Sequence, residues 1–374
     1  MLIGIDASRA VSHQRTGTEA YAYFLIRSLI TTTQNSEHHL RLYFNQAPPA
    51  GLFQELPHVE FCVIPFPRLW THVRLAYELQ RRSPDVFFTP AHVIPFVYRG
   101  PSVATVHDLG YHYFPSAHTK SQAAYLQLST RANGRLAREL IADSGITKAD
   151  LIRFYDTDSG KITVIYPGLD PDLRRVDDEE LITRTCEKYG IESPYLLYIG
   201  TLQPRKNLNR LVRAFAQSGL PHQLVLGGKV GWQTDSLLTE IASLEELLRE
   251  RVLLVGYIAE SDKAALLSGA DALVYPSLYE GFGFPLLEAQ ACGTPVLAAD
   301  SSSLPEISAG SALLVDPLDV DEMSRLMRLI VEDNTLRRDL IDKGYKNSRR
   351  FDWQTTAENV LRVLEHAASP NGRS

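Results

Sequence analysis

Cysteine is scarce in this sequence. The 374-residue chain has three cysteines, Cys62, Cys186 and Cys292, which lie far apart and form no C-x-x-C pair. We therefore expect neither a disulfide framework nor a cysteine zinc site, and a reducing cytoplasm is the expected compartment. The chain also lacks a run of about eighteen apolar residues, which argues against a membrane-spanning helix.

An excess of positive charge is missing as well. The 38 Lys and Arg residues against 44 Asp and Glu give a net charge of −6, whereas a protein that mainly coats nucleic acid is usually basic. The first residues enter a strand pattern at once, so no secretory signal is expected. With 44% hydrophobic and 22% charged residues, the composition is typical of a globular enzyme, and the length of 374 residues indicates two domains.

What the sequence does contain is a regular alternation of short apolar runs with amphipathic helical segments. The apolar runs are predicted to be strands, most of them buried on both faces as in a parallel sheet that is covered by helices. They are 2–5, 40–44, 59–64, 86–89, 103–106, 140–142 and 162–165 in the first half of the chain, and 195–199, 224–226, 252–255, 272–275 and 296–298 in the second.

A turn-rich stretch at 166–172 interrupts this alternation. Two successive strand–helix arrays joined by such a linker predict an α/β protein with two doubly wound domains, 1–170 and 171–352. A last helical pattern over 353–367 follows both arrays. Ligands of open parallel sheets bind beyond the carboxyl ends of the strands, so the strand-to-helix junctions are the expected functional sites.

The junction at 275–293 gives the strongest indication of a binding site. Pro285 suits the first turn of a helix, and Gly293 suits its end. Gly281 and Gly283 allow the chain to bring backbone amides close to a ligand, and the N-terminus of the helix offers the positive end of its dipole to a phosphate. The segment is therefore predicted to bind an anionic ligand where its helix begins.

Charged side chains support the same interpretation. Glu280 precedes this helix and Glu288 lies about one turn inside it, so the two carboxylates are expected to hold different parts of one extended ligand. Arg205 and Lys206 follow another strand at the start of a helix, where the helix dipole normally favours Asp or Glu. Cations at such a position indicate that an anion shares the site, with a solvated turn as the alternative.

Three further junctions carry weaker signals. Gly17 in the loop 15–19 would let the backbone approach a phosphate or a sugar, although an ordinary turn explains it equally well. His107 and Asp108 end a buried strand, where polar groups are costly unless they meet partners or substrate. The segment 300–306 either lines the same crevice with its hydroxyls and amides or caps a short helix.

One acidic motif is interpreted as a turn. Asp156 and Asp158 form a D-x-D pair of the kind that holds Mg²⁺ or Mn²⁺ against a nucleotide diphosphate. Here the pair closes a helix and leads into a strand, which is the wrong end of the unit for a ligand site. The spacing of His107 and His112 matches no standard zinc motif. No metal site is predicted.

Together these segments resemble the retaining glycosyltransferases of family 4, which have the GT-B fold of two facing Rossmann-like domains. The most specific feature is the E-x7-E motif from Glu280 to Glu288, and the segments 107–109, 204–207 and 303–306 are also similar to the family. The resemblance implies transfer of a hexose from a nucleotide sugar to an acceptor with retained anomeric configuration, without a metal or other cofactor. It also implies that the C-terminal helix, 353–374, returns to the first domain.

The resemblance assigns roles to individual residues. Glu288 would hold the ribose and Glu280 the hydroxyls of the donor sugar, while Arg205 and Lys206 would bind the diphosphate. Catalysis would fall to these two cations together with Glu280 and His107. The other donor-binding positions that it implies are Gly17, Thr201, Tyr257, Ile258, Gly283, Phe284, Pro285, Leu286 and Leu287.

One departure from the family stands at Thr201, where many relatives have an arginine, and Arg205 is expected to take over the phosphate contact of that arginine. Breaking a sugar–phosphate bond leaves negative charge on the diphosphate, which protein cations stabilise. No side chain stands out as a covalent nucleophile. The resemblance therefore implies a front-side attack in which the departing phosphate takes the proton of the acceptor, after the two domains close.

Donor and acceptor are defined less sharply. GDP-mannose is the favoured donor, and UDP-glucose or a related UDP-sugar is the alternative. A nucleotide-sugar epimerase and a non-catalytic nucleotide-sugar-binding module are the rival functions.

The segment 69–82 is predicted to be a helix that mixes aromatics with arginines. An ordinary packed helix with a basic rim is the preferred interpretation, and a surface that meets a lipid-linked acceptor at the inner face of a membrane is the alternative.

Overall fold

The computed structural model describes residues 1–12, 17–91, 93–117 and 119–369. The chain divides into two compact units, one formed by Met1–Gly168 with the segment that starts at Phe351, the other by Leu169–Arg350. The sequence places the two boundaries after residues 170 and 352, and the structure places them after Gly168 and Arg350.

The first unit is built on a parallel sheet. Its strands are β1 (Leu2–Asp6), β2 (His39–Phe44), β3 (Val59–Val63), β4 (Val86–Thr89), β5 (Ser102–Val106), β6 (Glu139–Ala142) and β7 (Ile162–Val164). Their order across the sheet is β3-β2-β1-β4-β5-β6-β7, and each neighbouring pair is parallel. Strands β4 and β5 are buried at every position, as expected for the middle of a parallel sheet.

Helices lie between several strands of this unit. They are α1 (Gly17–Thr33), α2 (Ala76–Arg81), α3 (Gly110–Tyr113), α4 (Lys120–Leu136) and α5 (Gly145–Tyr155), with short 3₁₀ turns at Pro115–Ala117 and Ser159–Lys161. In α1 the buried residues Tyr21, Leu25 and Leu29 recur every fourth position, which places them on one side of the helix. Helices join several of the parallel strands, whereas β3 follows β2 and β5 follows β4 with no helix among the described residues between them.

The second unit repeats this plan with a second parallel sheet. Its strands are β8 (Tyr195–Ile199), β9 (Gln223–Gly227), β10 (Val252–Gly256), β11 (Ala272–Tyr275), β12 (Val296–Ala299) and β13 (Leu313–Val315), in the order β10-β9-β8-β11-β12-β13. A 3₁₀ turn at Pro204–Lys206 precedes α7. The helices are α6 (Glu179–Lys188), α7 (Leu208–Ser218), α8 (Asp235–Ala242), α9 (Glu246–Arg249), α10 (Glu260–Gly269), α11 (Phe284–Ala291), α12 (Leu304–Ser308), α13 (Val320–Glu332) and α14 (Asn334–Ser348).

The last helix, α15 (Trp353–Ala368), packs in the first unit and not in the second, which it follows in the chain. The carboxylate of Asp352 caps it by accepting a hydrogen bond from the amide of Thr355 at 2.8 Å. The indole of Trp353 stacks on Phe24 of α1, with 5.7 Å between the ring centroids. The predicted return of the C-terminal helix to the first domain is therefore confirmed.

Every strand expected from the sequence is present, and the differences lie elsewhere. Strand β13 was not expected; it lies at the edge of its sheet, and Leu313 and Leu314 are only half-buried. The segment 69–82 is not one regular helix. Leu69 has a φ of 54°, a π-helical turn occupies Thr71–Leu75, and only α2 is α-helical.

The D-x-D pair forms a turn, as predicted. Asp156 ends α5 with a φ of 53°, and the carboxylate of Asp158 accepts a hydrogen bond from the amide of Gly160 at 2.9 Å. Among the described helices, none combines the length and the apolar character that crossing a lipid bilayer requires.

Candidate functional site

The two predicted cations of the second unit follow β8 and lie in the 3₁₀ turn ahead of α7, not in the helix itself. The next residue, Asn207, has a φ of 62° and is buried. Its side-chain amide donates hydrogen bonds to the carbonyls of Pro276 at 3.1 Å and Pro317 at 2.7 Å. Because these bonds tie the turn to the loops that follow β11 and β13, the positions of Arg205 and Lys206 are fixed by the fold.

Glu280 lies between these cations. Nη1 of Arg205 donates to Oε2 of Glu280 at 2.9 Å, and Nζ of Lys206 donates to Oε1. The hydroxyl of Tyr275, at the end of β11, donates to the same Oε1 at 2.8 Å and accepts from Lys206 at 3.0 Å. Burial by itself would raise the pKa of Glu280, but the charges of Arg205 and Lys206 outweigh it and lower this pKa to about 2. The carboxylate is therefore ionised at any physiological pH.

The segment 300–306 supports the loop that carries Glu280. The hydroxyl of Ser302 accepts a hydrogen bond from the amide of Glu280 at 2.8 Å. The hydroxyl of Ser303 donates to the carbonyls of Glu280 at 3.0 Å and Phe282 at 2.6 Å. Ser303 is buried and makes no capping bond at the start of α12. In this structure the hydroxyls of Ser302 and Ser303 hold the Glu280 loop.

Helix α11 begins beside Pro285 and ends just before Gly293, as the sequence predicts. Gly283 has a φ of 120°, a backbone conformation that side-chain-bearing residues rarely adopt, and Pro285 lies in the first turn. The resemblance implies donor-binding roles for the four residues 284–287, but their backbone amides are not equally available to a ligand. Pro285 has no N–H, the amide of Leu286 donates to the carbonyl of Gly283 at 3.1 Å, and helix geometry directs the amide of Leu287 to that same carbonyl. Of these four residues, Phe284 alone has a backbone amide that makes no hydrogen bond within the helix.

Glu288, in the second turn of α11, contacts a lysine that the sequence did not single out. Nζ of Lys263 in α10 donates to Oε1 of Glu288 at 3.0 Å and lies 2.7 Å from Oε2 of Glu260. Burial opposes the charge of Lys263, but the two carboxylates outweigh it and raise the pKa of this lysine. Glu288 and Glu280 therefore have separate cationic partners.

The remaining predicted donor-binding residues of the second unit follow β8 and β10. Thr201 is exposed just after Gly200. Tyr257 is also exposed, and Nζ of Lys229 lies 5.1 Å from the centre of its ring. Ile258 is buried, and its side chain packs against Gly227, where an added Cβ would clash with its Cδ1. Because the side chain of Ile258 is packed inside, Tyr257 is the residue of this pair that can offer its side chain to a ligand.

In the first unit, His107 follows β5 and is held by two neighbouring strand ends. Nδ1 lies 2.6 Å from Oδ2 of the buried Asp143, which follows β6, and Nε2 lies 2.9 Å from the carbonyl of Pro90, which follows β4. Both neighbours are acceptors, so both ring nitrogens can carry protons. Burial lowers the pKa of His107, but the charge of Asp143 and these hydrogen bonds outweigh it and raise this pKa. The protonated ring is thus favoured, and in that state both of its N–H groups have protein partners.

Part of the predicted N-terminal loop is not described. Residues 15 and 16 of the loop 15–19 lie outside the described residues, whereas Gly17 is exposed as the first residue of α1. No group of three or more His, Cys, Asp or Glu side chains that could hold a metal ion occurs within the described ranges.

Sequence reasoning missed three residues of these clusters. Asp143 could have been found, because it stands at a strand-to-helix junction like the others. Tyr275 reads as a core aromatic in a strand, and Lys263 reads as an ordinary lysine of an amphipathic helix. Their roles depend on contacts between elements that lie far apart in the sequence.

Two family models match the chain, "Glycosyltransferase Family 4" over residues 16–173 and "Glycosyl transferases group 1" over residues 184–347. The chain is also 30% identical to the O-antigen chain mannosyltransferase B of Escherichia coli over 388 aligned positions, which cover 96% of this chain and 99% of the relative. The chain belongs to glycosyltransferase family 4. The prediction of a glycosyltransferase is therefore confirmed.

Solved structures confirm the expected GT-B fold of this family 4 glycosyltransferase. Sucrose-phosphate synthase from Thermosynechococcus elongatus is similar with a TM-score of 0.76 and 22% identity, over 98% of this chain and 100% of that chain. The Anabaena protein HepE, solved in complex with UDP-glucose, is similar with a TM-score of 0.74 and 20% identity, over 97% of this chain and 99% of that chain.

Proposed function

We propose that this glycosyltransferase transfers a mannosyl residue from GDP-mannose to a saccharide or lipid-linked acceptor, with retention of the anomeric configuration and without a divalent metal. The choice of mannose is supported by the Escherichia coli O-antigen chain mannosyltransferase B, which is similar over nearly the full length of both chains. The same relative supports a role in polysaccharide biosynthesis. The second unit binds the donor in this proposal, and the first unit binds the acceptor.

The observation that carries the proposal is the pair of cations fixed between Glu280 and the end of β11. Arg205 and Lys206 have side chains that are 18% and 8% exposed, so water screens them poorly. When the sugar–phosphate bond breaks, negative charge grows on the leaving diphosphate. Cations that are already in place stabilise this charge without reorganising. They supply the electrostatic stabilisation that a divalent metal provides in other phosphate-binding sites.

The other residues of the second unit position the donor. Glu288 receives the ribose hydroxyls, because a carboxylate can accept hydrogen bonds from two neighbouring hydroxyls. The amide of Phe284, at the start of α11, faces the phosphate together with the positive end of the helix dipole. The acceptor hydroxyl attacks from the side of the leaving group, and the departing phosphate oxygen takes its proton. This route needs no protein nucleophile and retains the configuration.

The test is a donor panel with the purified full-length protein. GDP-mannose and UDP-glucose are each incubated with and without mannose-containing oligosaccharides and a synthetic prenyl-linked sugar, and release of the nucleoside diphosphate is followed. The proposal expects acceptor-stimulated release of GDP that survives excess EDTA, and an α-linkage by NMR. Release from UDP-glucose alone makes the enzyme a glucosyltransferase, an isomerised donor makes it an epimerase, and binding without release makes it a binding module.

The enzyme works in the cytoplasm, and its first unit makes peripheral contact with an anionic membrane. The contact surface, here named the apolar–basic face, consists of exposed apolar residues on the 69–77 segment and on α4, namely Leu69, Val73, Tyr77, Tyr125 and Leu128. Nε2 of His72 lies 3.1 Å from the hydroxyl of Tyr125 and joins the two segments. The exposure of these side chains supports the alternative in which the segment meets a partner.

The charges around the apolar–basic face fit this partner. The segment 65–82 has four arginines and one glutamate, and α4 has three cations and no acid, although the whole chain has a net charge of −6. Apolar side chains that insert among lipids and cations that attract anionic headgroups act together at a bilayer surface. A lipid-linked acceptor would be presented at the same surface.

A further inference from the structure

The carboxylate of Glu280 forms hydrogen bonds with Arg205 and Lys206, the two cations that the proposed function assigns to the donor's diphosphate. Oε2 contacts Arg205, and Oε1 contacts both Lys206 and Tyr275. The side chain of Glu280 is 9% exposed, and its pairs with the two cations are nearly dry. In this geometry the carboxylate is committed to the cations and not to the hydroxyls of a sugar.

A diphosphate needs the same N–H groups. The ammonium of Lys206 has three protons, and Glu280 and Tyr275 already accept two of them. Nη1 of Arg205 donates to the carbonyl of Tyr279 as well as to Glu280. Bonds between charged partners are the strongest hydrogen bonds in a protein, so a carboxylate and a phosphate compete for these donors directly.

We propose that Glu280 competes with the donor's diphosphate for Arg205 and Lys206. The carboxylate holds the two cations in place and releases them when the diphosphate binds. This inference rests on the proposed function of the site. The exchange reconciles the observed contacts with the sugar-binding role that the family resemblance implies. The diphosphate takes the cations, and the released carboxylate turns to the hydroxyls of the sugar.

The exchange also favours product release. After transfer, the sugar that held Glu280 has left with the acceptor, and the carboxylate returns to compete with the nucleoside diphosphate. An internal counter-charge thus limits how tightly the product binds. The competition weakens binding of the donor. The contact between Glu280 and the sugar compensates for this loss of affinity only while the sugar is attached to the nucleotide.

The two glutamates of the E-x7-E motif therefore have opposite effects on a nucleoside diphosphate. Glu288 is paired with Lys263, which is not among the expected phosphate ligands, and it faces the ribose in the proposed function. Its loss removes a favourable contact with the nucleotide. Loss of the charge on Glu280 removes a competitor. The matched substitutions Glu280→Gln and Glu288→Gln change one charge each within the same motif.

The experiment is calorimetric titration of GDP, UDP and inorganic pyrophosphate into the full-length protein and both variants. We expect Glu280→Gln to bind GDP and pyrophosphate at least about tenfold more tightly than wild type, because no carboxylate then competes for the two cations. The same variant should transfer mannose at least about tenfold more slowly. Glu288→Gln should bind GDP more weakly and pyrophosphate unchanged. Equal or weaker binding of pyrophosphate by Glu280→Gln overturns the inference.

Thermal melting shows whether Glu280→Gln folds, since it leaves two buried cations without their counter-charge. If it does not fold, Glu280→Asp replaces it. This variant keeps the charge but is one methylene shorter, so it cannot reach both cations, and a smaller tightening of about threefold is expected. Unchanged or weaker pyrophosphate binding by Glu280→Asp is then the contradicting result. Failure of wild type to bind GDP and UDP at all refutes the proposed function, whereas normal binding without tightening refutes only this inference.

Discussion

Nζ of Lys263 lies 3.0 Å from Oε1 of Glu288 and fastens the second glutamate of the motif to the neighbouring helix. The lysine is 12% exposed, and Glu260 holds it from the other side at 2.7 Å. A carboxylate on an α-helix has several rotamers, and this buried cation selects one of them. Lys263 is therefore a positioning residue for the group that we assign to the ribose.

Replacing Lys263 by methionine should raise the KM for GDP-mannose about tenfold and change kcat less. The methionine keeps the apolar stem of the lysine but releases Glu288, whose ribose contact is made equally in the ground state and in the transition state. Initial rates over a range of donor concentrations measure both constants. Lys188→Met is the matched control, because Lys188 lies at the surface in an ion pair with Asp262. A fall in kcat at unchanged KM would contradict the assignment.

Lys206→Ala should lower turnover at least about a hundredfold, because one preorganised donor to a developing negative charge contributes roughly 3–4 kcal/mol. The comparison uses saturating GDP-mannose and acceptor, so that the chemical step and not binding is measured. Lys343→Ala, which removes an exposed lysine paired with Asp339 on α14, should leave the rate unchanged. A rate for Lys206→Ala close to that of wild type would show that the diphosphate is stabilised elsewhere.

The sequence was sufficient for the parts of this molecule that depend on local pattern. Buried parallel strands are continuous apolar runs, so all strands except β13, an edge strand that is only partly buried, could be predicted. The start and end of α11 could be predicted as well, because Pro285 and Gly293 have restricted backbone preferences. Cations after β8 were recognisable because the helix dipole disfavours them there.

The parts that depend on contacts between distant segments could not be predicted. The sequence placed Glu280 against a sugar and the cations against a diphosphate, but 74 residues separate Glu280 from Lys206 and nothing local indicates that they bond each other. The irregular backbone at 69–75 has the same origin. The indole of Trp70 donates to the carbonyl of Ile64 at 2.8 Å, so tertiary anchoring overrides the helical pattern of the segment.

The apolar–basic face predicts binding to anionic vesicles. Full-length protein should sediment with vesicles that contain phosphatidylglycerol and remain in solution with vesicles of phosphatidylcholine alone, and high salt should release it. Replacing Leu69 and Val73 by serine should reduce the bound fraction at least about threefold, since both side chains are exposed and available for insertion.

A matched pair of substitutions controls for exposed apolar area. Leu238 and Leu247 are exposed on the second unit, and their replacement by serine should leave vesicle binding unchanged. Equal loss with both pairs would indicate non-specific adhesion. Binding of wild type to neutral vesicles with the same affinity would contradict the role of the arginines and of Lys120.

The ion pair between His107 and Asp143 should make the stability of the first unit depend on pH. The pKa of His107 is raised above 6.5 in the folded protein, so the pair stabilises the fold fully below that pH, and the contribution is lost as the pH rises through the raised pKa. Asp143→Asn should therefore lower the free energy of unfolding by about 2 kcal/mol near pH 6 and by less near pH 8.5. Urea unfolding followed by tryptophan fluorescence measures this, because Trp70 and Trp353 belong to the first unit. Asp156→Asn is the control, because Asp156 lies at an exposed helix end where asparagine is equally accepted, and it should show no such pH dependence. If the loss of stability in Asp143→Asn grows with pH, the imidazole of His107 is neutral in the folded protein.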